Sequence, residues 1–218
     1  MRTRRSRALR TKPTQGPKTP ERVPGPSLIG LTGGIAAGKS EALRILAELG
    51  AETVSTDGLV HELLGTAEVR DSLVERWGAE VAPGGEVDRA AVAAIVFESR
   101  EELHWLESLL HPLVRERVGE WKEQLPADTR VAVVEVPLLF EGDMAPTFDA
   151  TITVVAADHH RMERAAARGH GSLEGRDGRQ LTQEEKAAKA TYVVENHGSV
   201  ADLEKELERL FPALADAR

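Results

Sequence analysis

The chain has no cysteine, few aromatic residues and no long apolar run. Without cysteine it cannot form a disulfide, bind zinc or an iron–sulfur cluster through thiolates, or use a thiol nucleophile. No apolar stretch approaches the roughly 18 residues of a membrane-spanning helix, so we expect no association with membranes. The lack of cysteine suits a reducing compartment, and we predict a cytoplasmic location.

The charge is unevenly distributed along the chain, with an excess of basic residues near the N-terminus and an acidic remainder. The formal net charge of the chain is −8. Residues 1–27 contain eight of the 28 Lys and Arg residues and one of the 36 acidic residues. The remainder therefore has 20 basic and 35 acidic residues, a net charge of −15. So acidic a body repels nucleic-acid phosphates, and an aromatic content of 4% offers few surfaces for stacking single-stranded bases. We therefore expect a small phosphorylated ligand rather than a nucleic acid.

Residues 1–27 form a basic, proline-rich tail that we predict to be disordered, because it has too few apolar residues to offset the entropy of ordering. The tail could be an arm for a nucleic acid or a membrane surface, or an organelle transit peptide. It could also be an extension without a role. It lacks the apolar centre of a secretory signal, which argues against export.

From Ser27 onward, short apolar runs alternate with longer amphipathic segments. The predicted strands span 28–32, 52–55, 130–136, 150–156 and 192–195. The predicted helices span 39–49, 67–77, 89–98, 100–124, 159–168 and 200–210. Continuous apolar strands are typical of a parallel sheet covered on both faces. The pattern predicts a doubly wound α/β fold with five parallel strands, in one domain over 28–212 with a C-terminal tail at 213–218.

A glycine-rich motif lies between the first predicted strand and the first predicted helix. Gly33 is followed after four residues by Gly38-Lys39-Ser40, which matches the phosphate-binding pattern G-x-x-x-x-G-K-[ST]. Such a loop turns its N–H groups, and the N-terminus of the next helix, toward an anion. Lys39 would bridge the outer phosphates of ATP and the Ser40 hydroxyl would bind Mg²⁺. The residues predicted to bind the nucleotide here are Gly33, Gly34, Ile35, Ala36, Ala37, Gly38, Lys39, Ser40 and Glu41.

The loop alone is compatible with a GTPase, an ATPase or a small-molecule kinase. Ras-like GTPases read guanine through an N-K-x-D motif, which needs an asparagine followed by a lysine. The only asparagine in this chain is Asn196, and His197 follows it. A Ras-like GTPase is therefore disfavoured.

Further stretches extend the pattern beyond the loop. They are "LTGGIAAGKS" at 31–40, "ELGAETVSTDGLVHELL" at 48–64, "LHPLV" at 110–114, "VEVPLLFE" at 134–141 and, more weakly, "YVVENHGS" at 192–199. With these motifs the chain resembles the dephospho-coenzyme A kinases over about residues 28–210. The phosphate loop combined with the H-P and P-L-L-F-E motifs is specific, whereas any one of them alone is not.

The resemblance implies transfer of the γ-phosphoryl group of ATP to the ribose 3′-hydroxyl of dephospho-coenzyme A, the last step of coenzyme A synthesis. It also implies an acceptor-binding helical region at about 58–125 and a small lid at about 159–190. Five arginines fall in that lid: Arg161, Arg164, Arg168, Arg176 and Arg179. We predict that Arg164 is catalytic and that Arg168 and Asn196 contact the nucleotide. A solvated helical face is the alternative for the arginines.

Two carboxylates are the candidates for the chemistry. Asp57 follows the second predicted strand, at the edge of the sheet where ligands of such folds bind, and we predict that it accepts or orients the attacking hydroxyl. The alternative is an N-cap for a helix at 58–64. Glu135 lies near the end of a buried strand, and it is a candidate for holding a magnesium-bound water because a buried unpaired acid is costly.

The predicted acceptor site combines residues from three motifs. They are Asp57, His61, His111, Pro137, Leu138 and Leu139. Leu138 and Phe140 could equally be core residues, and His111-Pro112 could simply end one helix and start another.

Four positions depart from the family pattern. This chain has Ser55-Thr56-Asp57 where the family has Asp-Ala-Asp, and His61 where the family has an arginine. It also has Ala36 in place of a glycine in the loop, and Glu41 where the family often has a threonine. At neutral pH a histidine is only partly charged and lacks the bidentate grip of arginine. The alternatives are therefore another nucleoside or nucleotide kinase of this fold, or a weakly active ATP-binding regulatory relative. The sequence leaves the oligomeric state open.

Overall fold

A computed structural model describes residues 25–167 and 180–217, and within them one five-stranded sheet forms the centre of the molecule. Its strands are β1 (Ser27–Gly33), β2 (Glu52–Ser55), β3 (Val131–Glu135), β4 (Ala150–Val155) and β5 (Tyr192–Glu195). They lie in the order β2-β3-β1-β4-β5, and every neighbouring pair is parallel. The predicted α/β fold with five parallel strands is confirmed.

Eight α-helices connect and cover these strands in the described ranges. They are α1 (Lys39–Glu48), α2 (Thr56–Leu64), α3 (Ala67–Trp77), α4 (Arg89–Glu98), α5 (Arg100–Glu123), α6 (Asp158–Ala167), α7 (Gln183–Lys189) and α8 (Val200–Ala215). The sequence analysis missed α7, because seven residues are too few to show a helical period. Residues 1–24 of the predicted tail and residues 168–179 of the predicted lid, with Arg168, lie outside the described residues.

α5 closely matches its predicted span and contains no break at Pro112, whereas α8 extends past its predicted end. α5 runs through Pro112 without a break, so His111-Pro112 does not end a helix. α8 continues past the predicted domain end at 212 to Ala215, because Leu214 is fully buried in the core of the sheet. Residues 213–215 of the C-terminal tail predicted at 213–218 therefore belong to the last turn of α8.

The sheet buries different residues on its two faces because side chains alternate along each strand. Ile29 and Leu31 of β1 pack with α1 and α8. Leu28 packs on the opposite side, in a cluster that contains Leu139 and Phe140 of the loop after β3. The chain around β1 is thus buried from both sides, as a parallel sheet requires.

The helices between β2 and β3 have an apolar cluster of their own. It contains Leu63 from α2, Leu73 from α3, Val92 from α4 and Leu110 from α5. This cluster coincides with the region at 58–125 that the sequence predicts to bind the acceptor. In the described parts of the chain, no helix combines the length and the apolar character that crossing a bilayer demands.

Gly30 and Gly119 make a matched pair for testing the packing on the sheet. A Cβ on Gly30 would lie 2.5 Å from Leu139 Cδ1 and 2.9 Å from Phe148 Cδ2, whereas one on Gly119 in α5 meets nothing within 4 Å. We expect Gly30→Ala to destabilise the fold by about 1–3 kcal/mol through overpacking. Gly119→Ala should instead stabilise it by about 0.5–1 kcal/mol. Urea unfolding midpoints measure both changes, and equal midpoints would contradict the packing of the loop on β1.

Candidate active site

The phosphate-binding motif occupies the turn between β1 and α1. Gly38 has φ 104°, a left-handed conformation that favours glycine. A Cβ on Gly38 would collide with the amide nitrogen of Asn196. Ala36 also has a left-handed φ of 57°, which costs a non-glycine residue about 1–2 kcal/mol. The backbone geometry therefore explains why a glycine belongs at the position that Ala36 occupies here.

Lys39 is the first residue of α1 and its side chain folds back over the loop. Its Nζ donates to the carbonyl oxygens of Gly33 and Gly34, both at 3.2 Å. Burial lowers the pKa of Lys39, and the negative charges of Glu135 and Asp57 oppose this effect. The charge of the lysine therefore interacts with both candidate carboxylates, Glu135 at the end of β3 and Asp57 at the start of α2.

Two side chains from outside the motif hold the carbonyl oxygen of Ala37. Asn196, buried just after β5, donates from Nδ2 to this oxygen at 2.8 Å. Arg164 of α6 reaches the same oxygen at 3.5 Å and the Asn196 Oδ1 at 3.3 Å. The structure therefore brings the predicted residues Arg164 and Asn196 together at the loop.

Arg161 makes a parallel contact one turn earlier on α6. Its Nε donates to the carbonyl oxygen of Ile35 at 2.9 Å, and its NH1 pairs with Asp158 at 3.0 Å. The sequence analysis noted Arg161 only as part of the arginine cluster. Its spacing of three residues from Arg164 was the available signal, because residues three apart share a helix face.

Glu135 ends β3 as a buried carboxylate with one neutral partner. Ser55 donates from Oγ to Glu135 Oε2 at 2.6 Å across the β2–β3 pair. Burial raises the pKa of Glu135; the Ser55 hydrogen bond and the charge of Lys39 act against this shift, and the charge of Asp57 adds to it. The serine that replaces the first aspartate of D-A-D therefore supplies a donor to Glu135.

Asp57 lies in the first turn of α2, with its side chain exposed at the carboxyl edge of the sheet. The N-cap of α2 is Ser55, so the alternative role of Asp57 as an N-cap is wrong. A carboxylate in the first turn is stabilised by the helix dipole.

The predicted acceptor residues of the loop after β3 differ in their exposure to solvent. Pro137 and Leu138 are partly accessible, whereas Leu139 is fully buried among Val134, Val136 and Phe140. The prediction that Leu139 contacts the acceptor is therefore wrong for its side chain, which belongs to the core. His111 is exposed in the middle of α5, and within the described ranges no hydrogen bond or ion pair joins its side chain to another predicted site residue.

A pocket of about 360 Å³ opens beside α2, and its first wall residue on that helix, His61, lies one turn after Asp57. Its walls consist of His61, Leu64, Gly65, Arg70, Gly85, Glu86, Val87 and Arg89. Asp88 caps α4 through hydrogen bonds from the amides of Ala90 and Ala91, which fixes the neighbouring Arg89 at the helix start. Arg89 contacts His61 Nδ1.

Comparisons with known proteins agree on one family. The sequence profile of the dephospho-CoA kinases matches residues 27–202. A dephospho-CoA kinase from Deinococcus radiodurans is 38% identical over 187 residues, which cover 84% of this chain and 90% of the relative. One from Protochlamydia amoebophila is 36% identical over 194 residues, which cover 85% of this chain and 95% of the relative.

The chain belongs to the dephospho-CoA kinase family. A solved structure from Thermus thermophilus, 34% identical, superimposes with a TM-score of 0.75 over 88% of this chain and 99% of that one. A dephospho-CoA kinase from Campylobacter jejuni, 25% identical, gives a TM-score of 0.61 over 87% of this chain and 98% of that one. The resemblance inferred from the sequence motifs is confirmed.

The structure of this dephospho-CoA kinase family member adds residues that the motifs did not indicate. They are Arg161 at the phosphate loop, Arg70 and Arg89 in the pocket, and Gln183 and Lys186 on α7. For Arg89 the signal was the preceding Asp88, a favoured helix cap. For Lys186 there was no signal, since lysines on short helices are mostly exposed.

The buried carboxylate of Glu135 predicts an unusual pH dependence of stability. The fold raises the pKa of Glu135. Its contribution to the free energy of unfolding is therefore fully present at pH values below the ordinary pKa of a glutamate. That contribution is lost as the pH rises through the raised pKa of the folded state. We expect Glu135→Gln to raise Tm by on the order of a few degrees at about pH 8 and to make little difference at about pH 4. Thermal unfolding followed by circular dichroism measures this.

The exposed Glu80 supplies the control for that measurement. Glu80→Gln should leave Tm nearly unchanged at both pH values, because an exposed carboxylate loses little solvation on folding. A Glu135→Gln variant that is less stable than the wild type at about pH 8 would contradict a desolvated, weakly paired carboxylate.

Proposed function

We propose that this protein transfers the γ-phosphoryl group of ATP to the ribose 3′-hydroxyl of dephospho-coenzyme A, giving coenzyme A and ADP. The observation that carries the proposal is that the phosphate loop follows β1 and Asp57 follows β2, so both lie at the same carboxyl edge of the parallel sheet. A phosphate chain on the loop then faces the carboxylate that an attacking alcohol needs. The motifs, the family match and the fold support the same reaction.

The loop binds the triphosphate through its backbone amides and the N-terminus of α1. Lys39 exchanges the carbonyl oxygens of Gly33 and Gly34 for phosphate oxygens, and its cation offsets the charge that develops on the transferred group. Arg164, held by Asn196 beside Ala37, places a second cation at the loop.

The residues at this edge fit a magnesium ion. Ser40 presents an exposed hydroxyl at the start of α1, and Glu135 presents a carboxylate oxygen beside Lys39. Mg²⁺ takes oxygen ligands and keeps several waters, with substrate phosphates completing its shell. When bound, the ion would neutralise charge on the phosphate oxygens. We propose that Ser40 binds it directly and that Glu135 holds one of its waters.

Asp57 receives the proton as the acceptor attacks. The O–H bond of the 3′-hydroxyl breaks, its oxygen bonds to the γ-phosphorus, and the bond from that phosphorus to the bridging oxygen of ADP breaks. Asp57 is exposed and has a neighbouring pocket on its own helix, so an acceptor can reach it from the side of α2. We place this reaction in the cytoplasm, which the absence of cysteine supports.

Two substitutions separate the roles of the loop and the carboxylate. Asp57→Asn should lower kcat by about 10²–10⁴-fold, the usual contribution of a general base, and leave ATP binding intact. Lys39→Ala should weaken both ATP binding and turnover. The assay follows coenzyme A formation from Mg-ATP and dephospho-coenzyme A, with ATP affinity measured by calorimetry.

The exposed Asp128 supplies the control, and Asp128→Asn should retain full activity. An Asp57→Asn variant as active as the wild type would overturn the assigned role. A wild type that phosphorylates another nucleoside in preference to dephospho-coenzyme A would favour the related nucleotide kinase instead.

The basic pocket fits the 5′-diphosphate of the acceptor. His61 follows Asp57 by one turn of α2, about 6 Å along the helix. The 3′-hydroxyl and the 5′-diphosphate extend from the same ribose, so a hydroxyl at Asp57 places the diphosphate near His61. Arg70 and Arg89 line that space and supply permanent positive charge. Within the described residues, no carboxylate pairs with Arg89, whereas Asp71 pairs with Arg70 at 2.7 Å.

Arg89 is tested with two acceptors that share the same hydroxyl. Arg89→Gln should lower kcat/KM for dephospho-coenzyme A by about 10- to 100-fold, since a hydrogen bond to a charged group contributes about 1.5–3 kcal/mol. It should leave kcat/KM for adenosine, which has no diphosphate, nearly unchanged. Arg100→Gln is the matched control, because Arg100 is exposed beyond the opposite end of α4. Equal losses for both acceptors would contradict a diphosphate contact.

A further inference from the structure

Lys186 is a fully buried lysine on α7. Its Nζ donates to the carbonyl oxygen of Pro137 at 2.7 Å and pairs with Glu141 Oε1 at 2.9 Å. Both partners belong to the loop after β3, which carries the P-L-L-F-E motif. Burying an ion pair is costly, and apolar residues of similar volume often hold two elements together equally well. The lysine therefore needs an explanation beyond stability.

The same face of α7 contacts the phosphate loop. Gln183 lies three residues before Lys186 and so on the same side of the helix. Its side chain accepts from the amide of Ala156 and donates to the carbonyl of Ala156, both at 2.9 Å, which fixes it at the end of β4. A Cβ on Gly34 would lie 2.9 Å from Gln183 Cγ, so Gln183 covers the loop directly.

The loop after β3 is also tied to β1. Thr32, one residue before the phosphate loop, donates from Oγ1 to the same Pro137 oxygen at 3.1 Å. The amide of Leu181, just before α7, donates to Glu141 Oε1 at 2.8 Å. The hydrogen bond from Lys186 helps to hold the pKa of Glu141 below its ordinary value, although burial acts in the opposite direction. The carboxylate therefore stays charged against the lysine.

We propose that Lys186 is a positioning residue for phosphoryl transfer. Its contacts with Pro137 and Glu141 hold the loop after β3 against α7, and Gln183 of the same helix covers the phosphate loop. The helix thereby keeps the two loops at a fixed separation. This inference rests on the proposed function and on the prediction from the sequence that Pro137 and Leu138 border the acceptor. An error of about 1 Å in such a separation is enough to cost about 10²-fold in rate.

The test compares Lys186→Met with the double variant Lys186→Met/Glu141→Leu. The single variant leaves Glu141 buried without its cation, so Tm should fall. The double variant replaces the pair by apolar residues, so Tm should return toward the wild-type value. If Lys186 positions the loop, kcat with dephospho-coenzyme A stays about 10²-fold low in the double variant while the dissociation constant of ATP is unchanged. Lys189→Met, an exposed lysine on the same helix, is the control and should behave as wild type.

Recovery of both Tm and kcat in the double variant would show a purely structural pair and overturn the inference. Amide hydrogen exchange of residues 138–144 gives a second measurement that needs no acceptor. Faster exchange there in both variants, with exchange in α1 unchanged, supports the positioning role, and unchanged exchange contradicts it. A wild type that leaves dephospho-coenzyme A unphosphorylated would contradict the proposed function, whereas the exchange result would still decide the role of Lys186.

Discussion

The outward-facing carbonyl groups of the phosphate loop are the constraint on which the rest of the site depends. A loop that turns its amides toward an anion must turn carbonyls elsewhere, and partly buried carbonyls need donors. Arg161 supplies one to Ile35, and Asn196 and Arg164 supply two to Ala37. α6 and the end of β5 are thereby fixed against the loop, so the arginines of α6 are placed at the site by the same bonds that hold its backbone.

Each departure from the family pattern has a local physical consequence. The replacements at 55 and 61 come with a new contact, whereas the one at 36 leaves backbone strain. Ala36 stores backbone strain at a left-handed position. Ser55 removes a carboxylate from the edge of the sheet and gives Glu135 a hydrogen bond in return, which avoids like charges on two adjacent strands. His61 gives up a permanent charge, and Arg89 contacts it from the start of α4. The hydrogen-bond donors and charges at the carboxyl edge of the sheet therefore come from different residues than in the family pattern.

Features encoded by local sequence were predictable, and features that depend on distant contacts were not. The strands follow from continuous apolar runs, and the phosphate loop follows from ten consecutive residues. Arg161 contacts a residue 126 positions away and Lys186 one 49 positions away, which no local pattern encodes. Leu139 is predicted to contact the acceptor because its motif is functional, but its side chain packs in the core with Val134, Val136 and Phe140. α5 passes Pro112 because packing of the long helix outweighs one lost hydrogen bond.

The separate apolar cluster of the helices between β2 and β3 divides the molecule into two parts with different freedom to change. Substitutions among Leu63, Leu73 and Val92 alter packing that lies away from the core under the phosphate loop. Energetic effects of well-separated sites are nearly additive. Under the proposed function, substitutions in this helical module can change which alcohols are admitted while the residues proposed to bind the triphosphate stay as they are.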